Sequence, residues 1–315
     1  MSVTFETIEY ENYGKCVKIS NGIVDAIVTA EIGPRVLFYG FTGGENMFHL
    51  DINRETLWEG KEFDDYYFKG SVSYLYGGHR IWVTPEYAPQ TYYPDNYPLD
   101  IEYKKNGAVF TAPPQVENNI RVSLEIEMDD NAPHVNVYNR VQNIGSTDKE
   151  YAVWTVNVMK HGGLEIVKHN SNDTGYLHNR VLSMWQYTNP NDYRFYNGKK
   201  YITVKQDPSA KAAFKIGYNN RSGIVLYAGD STVFAEQYTP DHDNAAYPDG
   251  NVSFETYTSD KVLELETLDK IRTVKPNEIS EYKESWTLFE NPGTPDAHSD
   301  DEIDKFYNDI VSRLQ

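Results

Sequence analysis

The sequence predicts an all-β protein built as a large antiparallel sandwich. It contains 26 Tyr, 13 Phe and 5 Trp in 315 residues, and aromatic residues favour the pleated, half-buried surface of a strand. Apolar and polar residues alternate from Ile120 to Met128, which is the period of a sheet with one solvated face. A dozen or more short strands recur at spacings of roughly 8–12 residues, with no amphipathic helices between them. This pattern favours an antiparallel sandwich over a parallel α/β fold.

The expected strands share this alternation, or form short apolar runs bounded by turn residues. In chain order they are residues 23–29, 35–41, 99–103, 108–111, 120–128, 134–141, 151–158, 201–205, 213–218, 224–227, 232–237, 252–257, 262–267 and 281–289. Residues 129–133 predict a hairpin turn, and Asn106-Gly107, which favours positive φ, predicts another. No flexible linker or internal repeat divides the chain. We therefore expect residues 1–290 to form a single sandwich domain.

The last 25 residues predict a different element. Ser299 and Glu302 form a capping-box pattern. Apolar residues then follow at helical spacing, namely Ile303, Phe306, Tyr307, Ile310, Val311 and Leu314. We expect residues 291–315 to form a linker and an amphipathic helix that packs on the sandwich or contacts a second copy in a homo-oligomer.

The composition excludes several classes of partner. With 29 Lys+Arg against 47 Asp+Glu the net charge is −18, so the chain would be repelled by nucleic acid and by anionic membranes. No apolar run reaches the roughly 20 residues of a membrane span. The first ten residues carry acids where a secretory signal carries Lys or Arg, which predicts a cytoplasmic protein. Cys16 is the single cysteine and is interpreted as an ordinary strand residue.

Residues 63–97 are unusually aromatic, and their rings are interleaved with Asp, Glu, His, Arg and Asn. Sugars pack their C–H faces on aromatic rings and need polar partners for their hydroxyls. The segment therefore suits a carbohydrate pocket, although in a β-rich protein such rings also serve as plain core.

Several motifs resemble a family of the galactose mutarotase-like superfamily, over about residues 15–290. They are Gly33-Pro34-Arg35, Gly43-Gly44-Glu45-Asn46, Gly77 to Trp82 with Pro85-Glu86, Tyr247 to Gly250, Phe254 to Tyr257, and Leu263 to Thr267. The resemblance implies a β-supersandwich with a sugar site on the concave face of the larger sheet. It also implies a small-molecule sugar or glycan as partner. No cofactor is expected, and the histidines show no i, i+4 or His-x-His spacing, so no metal site is expected either.

The resemblance also implies a catalytic base. Mutarotases use a glutamate on a late strand, within a Glu-Thr-Gln-like motif, and Leu265-Glu266-Thr267 is the closest match. Glu266 is the candidate base. Glu264 lies two residues earlier, so the strand period places both acids on one face. That face is either a solvated surface or a site lined by carboxylates. By the same resemblance Glu255 is a second inward-facing acid.

His79 is the candidate acid, because imidazole titrates near neutral pH. The preceding Gly77-Gly78 lets the backbone approach a ligand closely, and Arg80 could hold ligand oxygens in a fork. The further candidates for substrate binding are Arg35, Tyr76, Trp82 and Glu86. The mutarotases carry another histidine on a middle strand, and residues 153–158 have none. His161 could replace it only if its loop folds back.

Three functions remain open at this point. An aldose 1-epimerase-like isomerase, using Glu266 with His79, is favoured. A non-catalytic sugar-binding protein follows from the missing middle-strand histidine, and a glycan-processing lyase or hydrolase follows because one fold hosts several chemistries. The oxygen-rich residues 241–249 are an alternative Ca²⁺ site, although they lack the alternation of an EF-hand loop.

Overall fold

The computed structural model describes residues 2–314, and strands dominate it. In chain order the strands are β1 (Thr4–Glu9), β2 (Lys15–Ser20), β3 (Val24–Thr29), β4 (Val36–Phe41), β5 (Leu57–Trp58), β6 (Ser73–Tyr74), β7 (Gly78–Val83), β8 (Asp100–Tyr103), β9 (Gly107–Thr111), β10 (Ile120–Met128), β11 (His134–Asn143), β12 (Lys149–Tyr151), β13 (Val153–Met159), β14 (Leu164–Lys168), β15 (Leu182–Met184), β16 (Phe195–Asn197), β17 (Tyr201–Lys205), β18 (Phe214–Tyr218), β19 (Ile224–Ala228), β20 (Thr232–Tyr238), β21 (Phe254–Thr258), β22 (Leu263–Leu268), β23 (Arg272–Val274) and β24 (Ile279–Glu290). The helices are α1 (Lys61–Tyr66), α2 (Pro248–Asn251) and α3 (Asp300–Val311).

Two ten-stranded antiparallel sheets make the sandwich. The first sheet has the order β1-β2-β3-β4-β7-β13-β22-β21-β18-β15, and the second has the order β16-β17-β14-β19-β20-β24-β11-β10-β9-β8. Two small pairs, β12-β23 and β5-β6, lie outside them. The predicted all-β class, the large antiparallel sandwich and the C-terminal helix are confirmed.

Every strand expected from the sequence forms, and its ends lie within two residues of the expected ones. Both predicted hairpins pair as expected, β10 with β11 and β8 with β9. The strands not foreseen include β1, an exposed edge strand, and β7, whose Gly-His-Arg start is atypical of strands. Local pattern fails at such places because tertiary contacts decide the backbone conformation.

The core lies between the sheets, and alternation along each strand separates inner from outer side chains. In the first sheet Ile81, Leu263 and Leu265 point inward to the large core cluster. Their strand neighbours therefore point to the outer face, where Trp82, Trp154 and other apolar side chains form a separate cluster. The outer face of the first sheet carries the candidate site.

The C-terminal helix packs on the outer face of the second sheet. The Ser299 side chain caps α3 by accepting a hydrogen bond from the Glu302 backbone N–H, as the capping-box pattern predicts. Its apolar side buries Ile303, Phe306 and Ile310. The division of the chain at residue 290 stays a prediction. Among the described residues, no helix combines the length and apolar character needed to cross a bilayer.

Candidate functional site

A cavity of about 590 Å³ opens on the outer face of the first sheet. Its volume falls in the range of small-molecule sites, roughly 300–1,000 Å³. Strands β7, β13, β18, β21 and β22 form its floor, and residues 55–58, 86–92 and 259–262 contribute to its walls. These parts lie far apart in the sequence, and the register of the first sheet brings them together.

Aromatic rings line one side of the cavity. The rings of Trp58 and Tyr92 stack with centroids 4.4 Å apart, and Trp82 meets Tyr92 at 5.4 Å and Trp154 at 4.9 Å. The Tyr92 hydroxyl donates a hydrogen bond to Glu86. Packed rings with a few polar groups suit the apolar faces and hydroxyls of a sugar.

A buried cluster of charges lies on the floor. Register pairs Glu255 with Glu266 across β21 and β22. The Lys215 Nζ lies 2.8 Å from Glu266 Oε2 and 2.9 Å from Glu255 Oε2. The Trp154 indole N–H also donates to Glu266 Oε2, at 2.9 Å. Two donors therefore hold one oxygen of Glu266, the geometry of an ionised carboxylate.

The other oxygen of Glu266 is free. Glu266 lines the cavity, and its Oε1 atom has no hydrogen-bond partner within the described residues. A buried acceptor without a partner is costly unless a ligand or water meets it. Because Oε2 is occupied, Oε1 is the atom that can accept a proton from a bound molecule.

The environments of the floor carboxyls differ. Burial, followed by the neighbouring Glu266 charge, raises the pKa of Glu264 to about 8, so this carboxyl is protonated at neutral pH. Burial also raises the pKa of Glu266, but Lys215 opposes that shift. Burial opposes the charge of Lys215, yet Glu266 and Glu255 raise its pKa well above the ordinary value. The site thus contains a protonated carboxyl at Glu264, and the Lys215 and Trp154 donors favour the ionised form of Glu266 beside it.

His79 does not face this site. It lies on the inner face of β7, fully buried, where its ring nitrogens contact Asn157 Oδ1 at 2.9 Å and Asn139 Oδ1 at 2.8 Å. Successive side chains of a strand point to opposite faces, so His79 cannot share the outer face with Arg80. The prediction that His79 meets the ligand beside Glu266 is wrong.

The remaining candidates divide between the cavity wall and the layer beneath it. Trp82, Glu86 and Glu264 line the cavity, as Glu266 does. Glu255 lies below it, and its Oε1 has no partner among the described residues. These four side chains therefore lie in or directly beside the cavity that contains Glu266.

Arg80, Arg35 and Tyr76 lie outside the cavity lining. The Arg80 guanidinium is buried and stacks on the face of the Trp82 ring, 3.8 Å from the ring centroid. Arg35 is fully buried and forms an ion pair with Asp95 at 2.7 Å. The Tyr76 hydroxyl donates to Asn96 Oδ1 at 2.6 Å. Arg35 and Tyr76 thus hold the neighbouring loop through Asp95 and Asn96, and none of the three side chains lines the cavity.

Neither His161 nor the oxygen-rich segment 241–249 forms part of a candidate site. His161 stacks on His49 at 4.6 Å and contacts the Lys261 carbonyl oxygen, and it does not line the cavity. In the acidic segment, Asp241 pairs with Lys270 and Asp243 pairs with Arg221. Within residues 2–314 no group of three or more His, Cys, Asp or Glu side chains could hold a metal ion.

Sequence reasoning missed Lys215, Trp154, Tyr92 and Trp58. Lys215 occupies an alternating position of Phe214–Tyr218, where a lysine is typical of a solvated face. Its partners are on β21 and β22, and that pairing depends on register across the sheet. The aromatic content of residues 63–97 was the signal for Tyr92.

Comparison of the sequence with protein-family models gave no match, and comparison with curated proteins gave none either. Solved structures do match. A galactose mutarotase-like protein from Lactobacillus casei ATCC 334 has 11% identity and a TM-score of 0.54, covering 87% of this chain and 100% of that protein. A galactose mutarotase related enzyme from Lactobacillus acidophilus has 11% identity and a TM-score of 0.52, covering 91% and 97%.

A third similar structure is a TPR-domain containing protein from Parabacteroides distasonis ATCC 8503. It has 12% identity and a TM-score of 0.58, and the match covers 89% of this chain but 48% of that protein. At such identities the similarity concerns the fold alone. It shows that this chain has the sandwich architecture of the galactose mutarotase-like proteins.

Proposed function

We propose that this chain, which has the galactose mutarotase-like fold, binds a sugar in the outer cavity and interconverts its anomers as an aldose 1-epimerase-like isomerase. The observation that carries the proposal is the free Oε1 of Glu266 beside the protonated carboxyl of Glu264, in a cavity walled by aromatic rings. Anomer exchange requires a base and an acid that act on one ring.

In the proposed mechanism Glu266 is the base and Glu264 is the acid. Oε1 of Glu266 takes the proton of the anomeric hydroxyl while Glu264 protonates the ring oxygen, so the ring C–O bond breaks and a carbonyl forms. After rotation about the adjacent C–C bond, Glu264 recovers its proton from the attacking hydroxyl. Glu266 returns its proton to the carbonyl oxygen, and both carboxyls are restored.

Lys215 and Trp154 position the base. Both donate to Oε2 of Glu266, at 2.8 and 2.9 Å, which fixes the carboxylate plane and leaves Oε1 directed to other partners. The same contacts keep Glu266 ionised against the cost of burial. Glu255 shares the ammonium of Lys215 and holds it in place.

The charges favour a neutral sugar over a phosphorylated one. Lys215 is engaged by two carboxylates, and Lys261, also in the lining, lies 3.6 Å from Glu55. Glu86, Glu264 and Glu266 line the same cavity. Lys211 on the rim is the one lysine of the lining without an ion pair among the described residues, and the acids of the cavity would repel a phosphate.

NMR exchange between the α and β anomers of free aldoses tests the proposed function. We expect the protein to accelerate exchange for at least one neutral aldose, at a pH where spontaneous exchange is slow. Denatured protein at the same concentration is the control. Saturable binding of sugars without acceleration would contradict catalysis and leave a binding protein, and acceptance of polymers alone would indicate a glycan-processing enzyme.

The pH dependence of the exchange rate is a further prediction. Activity requires Glu264 protonated, and its pKa is raised to about 8, so the enzymatic rate should fall as the pH rises through about 8. It should also fall at acid pH, where Glu266 takes up a proton. The measurement is kcat against pH after subtraction of the spontaneous rate. A rate that keeps rising above pH 9 would contradict Glu264 as the acid.

The second candidate is a sugar-binding protein without catalysis. It is favoured by β13, which presents Trp154, Val156 and Val158 to the outer face and no proton-transfer group. A binding protein would use the same cavity and aromatic wall as an isomerase. Only the rate of anomer exchange distinguishes the two, because a binding protein would not accelerate it.

A further inference from the structure

A polar network lies between the two sheets, away from the cavity. At its centre His79 contacts Asn157 Oδ1 at 2.9 Å and Asn139 Oδ1 at 2.8 Å. Asn157 Nδ2 donates to Glu236 Oε1 at 3.0 Å, and Asn139 Nδ2 donates to Glu284 Oε1 at 3.0 Å. All five side chains are at most 1% exposed, and we call them the inter-sheet network.

The hydrogen bonds define where protons belong. Each asparagine directs its NH₂ group at a glutamate, which leaves its carbonyl oxygen for His79. A carbonyl oxygen is an acceptor only, so both ring nitrogens of His79 must donate. The ring that satisfies both contacts carries protons on Nδ1 and Nε2, and it is a cation linked through two amides to two carboxyls.

The two carboxyls are not equivalent. Glu284 accepts from Asn139 on Oε1 and from Thr155 and Thr267, each at 3.1 Å, on Oε2. Glu236 accepts from Asn157 on Oε1, and none of the hydrogen-bond donors in the described residues reaches its Oε2. Burial and the adjacent Glu284 raise the pKa of Glu236 well above its usual range. The free oxygen of Glu236 is therefore the place for a proton.

A second cavity lies next to this network. A space of about 370 Å³ at the end of β20 is lined by Tyr238, Tyr282 and Glu284. The hydroxyls of both tyrosines have no hydrogen-bond partner within the described residues. Such a polar cavity is suited to ordered water.

Burial also raises the pKa of Glu165, a neighbouring carboxyl on β14, to about 8, so only the difference between the native protein and a Glu236 variant isolates the contribution of Glu236. Glu165 from β14 accepts hydrogen bonds from Tyr218 and Thr256, and Tyr238 and Tyr282 approach from β20 and β24. His79 from β7 is the one cation within hydrogen-bonding reach of the pair among the described residues, 3.5 Å from Glu284 Oε1.

We propose that the inter-sheet network is a clamp that depends on protonation. Glu236 carries a proton and donates a hydrogen bond to Glu284, and His79 is protonated on both ring nitrogens. Together these groups tie β7 and β13 of the first sheet to β11, β20 and β24 of the second. Loss of the Glu236 proton leaves two adjacent buried carboxylates, which repel each other. As the pH rises above the ordinary carboxyl pKa, the unfolded chain releases this proton while the folded state keeps it, so the sandwich loses stability, and the clamp opens when the folded state releases the proton too.

The direction in which stability changes with pH follows from proton linkage. The folded state holds the Glu236 proton at a pH where the unfolded chain has released it, so the folding equilibrium constant falls by about tenfold per pH unit for this one group. The fall begins above the ordinary carboxyl pKa and continues until the folded state releases the proton as well.

The test is urea denaturation of the native protein and of Glu236→Gln between pH 5 and pH 8. Glutamine donates permanently to Glu284 and accepts from Asn157, so we expect the stability of the variant relative to the native protein to rise by about tenfold in equilibrium constant per pH unit. Glu290→Gln, an exposed acid on β24, should follow the native curve. Parallel pH curves for the native protein and Glu236→Gln would overturn the proposal.

A second measurement needs no variant. The ¹⁵N shifts of the His79 ring in the native protein should show two protonated nitrogens at pH 7, whereas a single neutral tautomer would overturn the proposal even if Glu236→Gln fails to fold. Neither measurement involves a sugar, so the clamp and the proposed isomerase activity stand or fall separately.

Discussion

Glu266→Gln is expected to lower the rate of enzymatic anomer exchange by about 10²–10⁴-fold, the usual contribution of a general base. Glutamine preserves the shape of the side chain and can still meet the Trp154 and Lys215 donors through its carbonyl oxygen. It has no oxygen that can take a proton from the anomeric hydroxyl. Sugar affinity, followed by tryptophan fluorescence or NMR line broadening, should change little, because the aromatic wall is intact.

The control for this variant is Glu59→Gln. Glu59 is exposed and follows Trp58 without lining the cavity, so its exchange rate should equal that of the native protein. An unchanged rate in Glu266→Gln would refute the base assignment. Loss of sugar binding together with rate would instead assign Glu266 to ligand binding.

Lys215→Met should have the largest effect on stability. The ammonium of Lys215 lies 2.8–2.9 Å from two buried carboxylates and within 5 Å of the Trp154 and Trp185 rings, at 4.9 and 4.8 Å. Removing one partner of a buried ion pair costs about 3–5 kcal/mol, because the remaining charge has no compensation. We expect a loss of this size in the free energy of unfolding, measured by urea denaturation at pH 7.

Two further variants make this prediction specific. Lys211→Met removes an exposed lysine of the same cavity rim and should change the stability by less than about 0.5 kcal/mol. Adding Glu255→Gln to Lys215→Met removes one of the stranded carboxylates and should recover part of the loss. A loss below about 1 kcal/mol in Lys215→Met would show that the cluster is not held by its ammonium.

The sequence predicts the fold well because the strand period is local. The alternation in Leu263–Leu268 is enough to place Glu264 and Glu266 on one face, and the structure places both in the cavity lining. The same rule applied to Gly78–Val83 would have separated His79 from Arg80 and Trp82. The glycines before His79 are typical of a loop and mask this alternation, and the strand exists through its pairing with β13.

The rest of the site depends on contacts that no local pattern records. Lys215 meets Glu266 across an intervening strand, over 51 residues of sequence. Its position depends on the registers of β18 with β21 and of β21 with β22. Trp58 and Tyr92 come together from two separate loops, and loop conformation is the part of a chain that periodicity does not describe.

The order of strands in the first sheet has a consequence for biosynthesis. In that sheet β7, β13, β22, β21 and β18 are neighbours although they span Gly78–Leu268 of the chain. A nascent chain that ends before Glu264 has most of the aromatic wall but lacks both proposed proton-transfer groups. Because β22 pairs with both β13 and β21, the floor of the cavity is complete, and ligand affinity should appear, only after β22 has emerged from the ribosome. Until β22 emerges, Lys215 and Glu255 lack Glu266, the third member of their buried charge cluster.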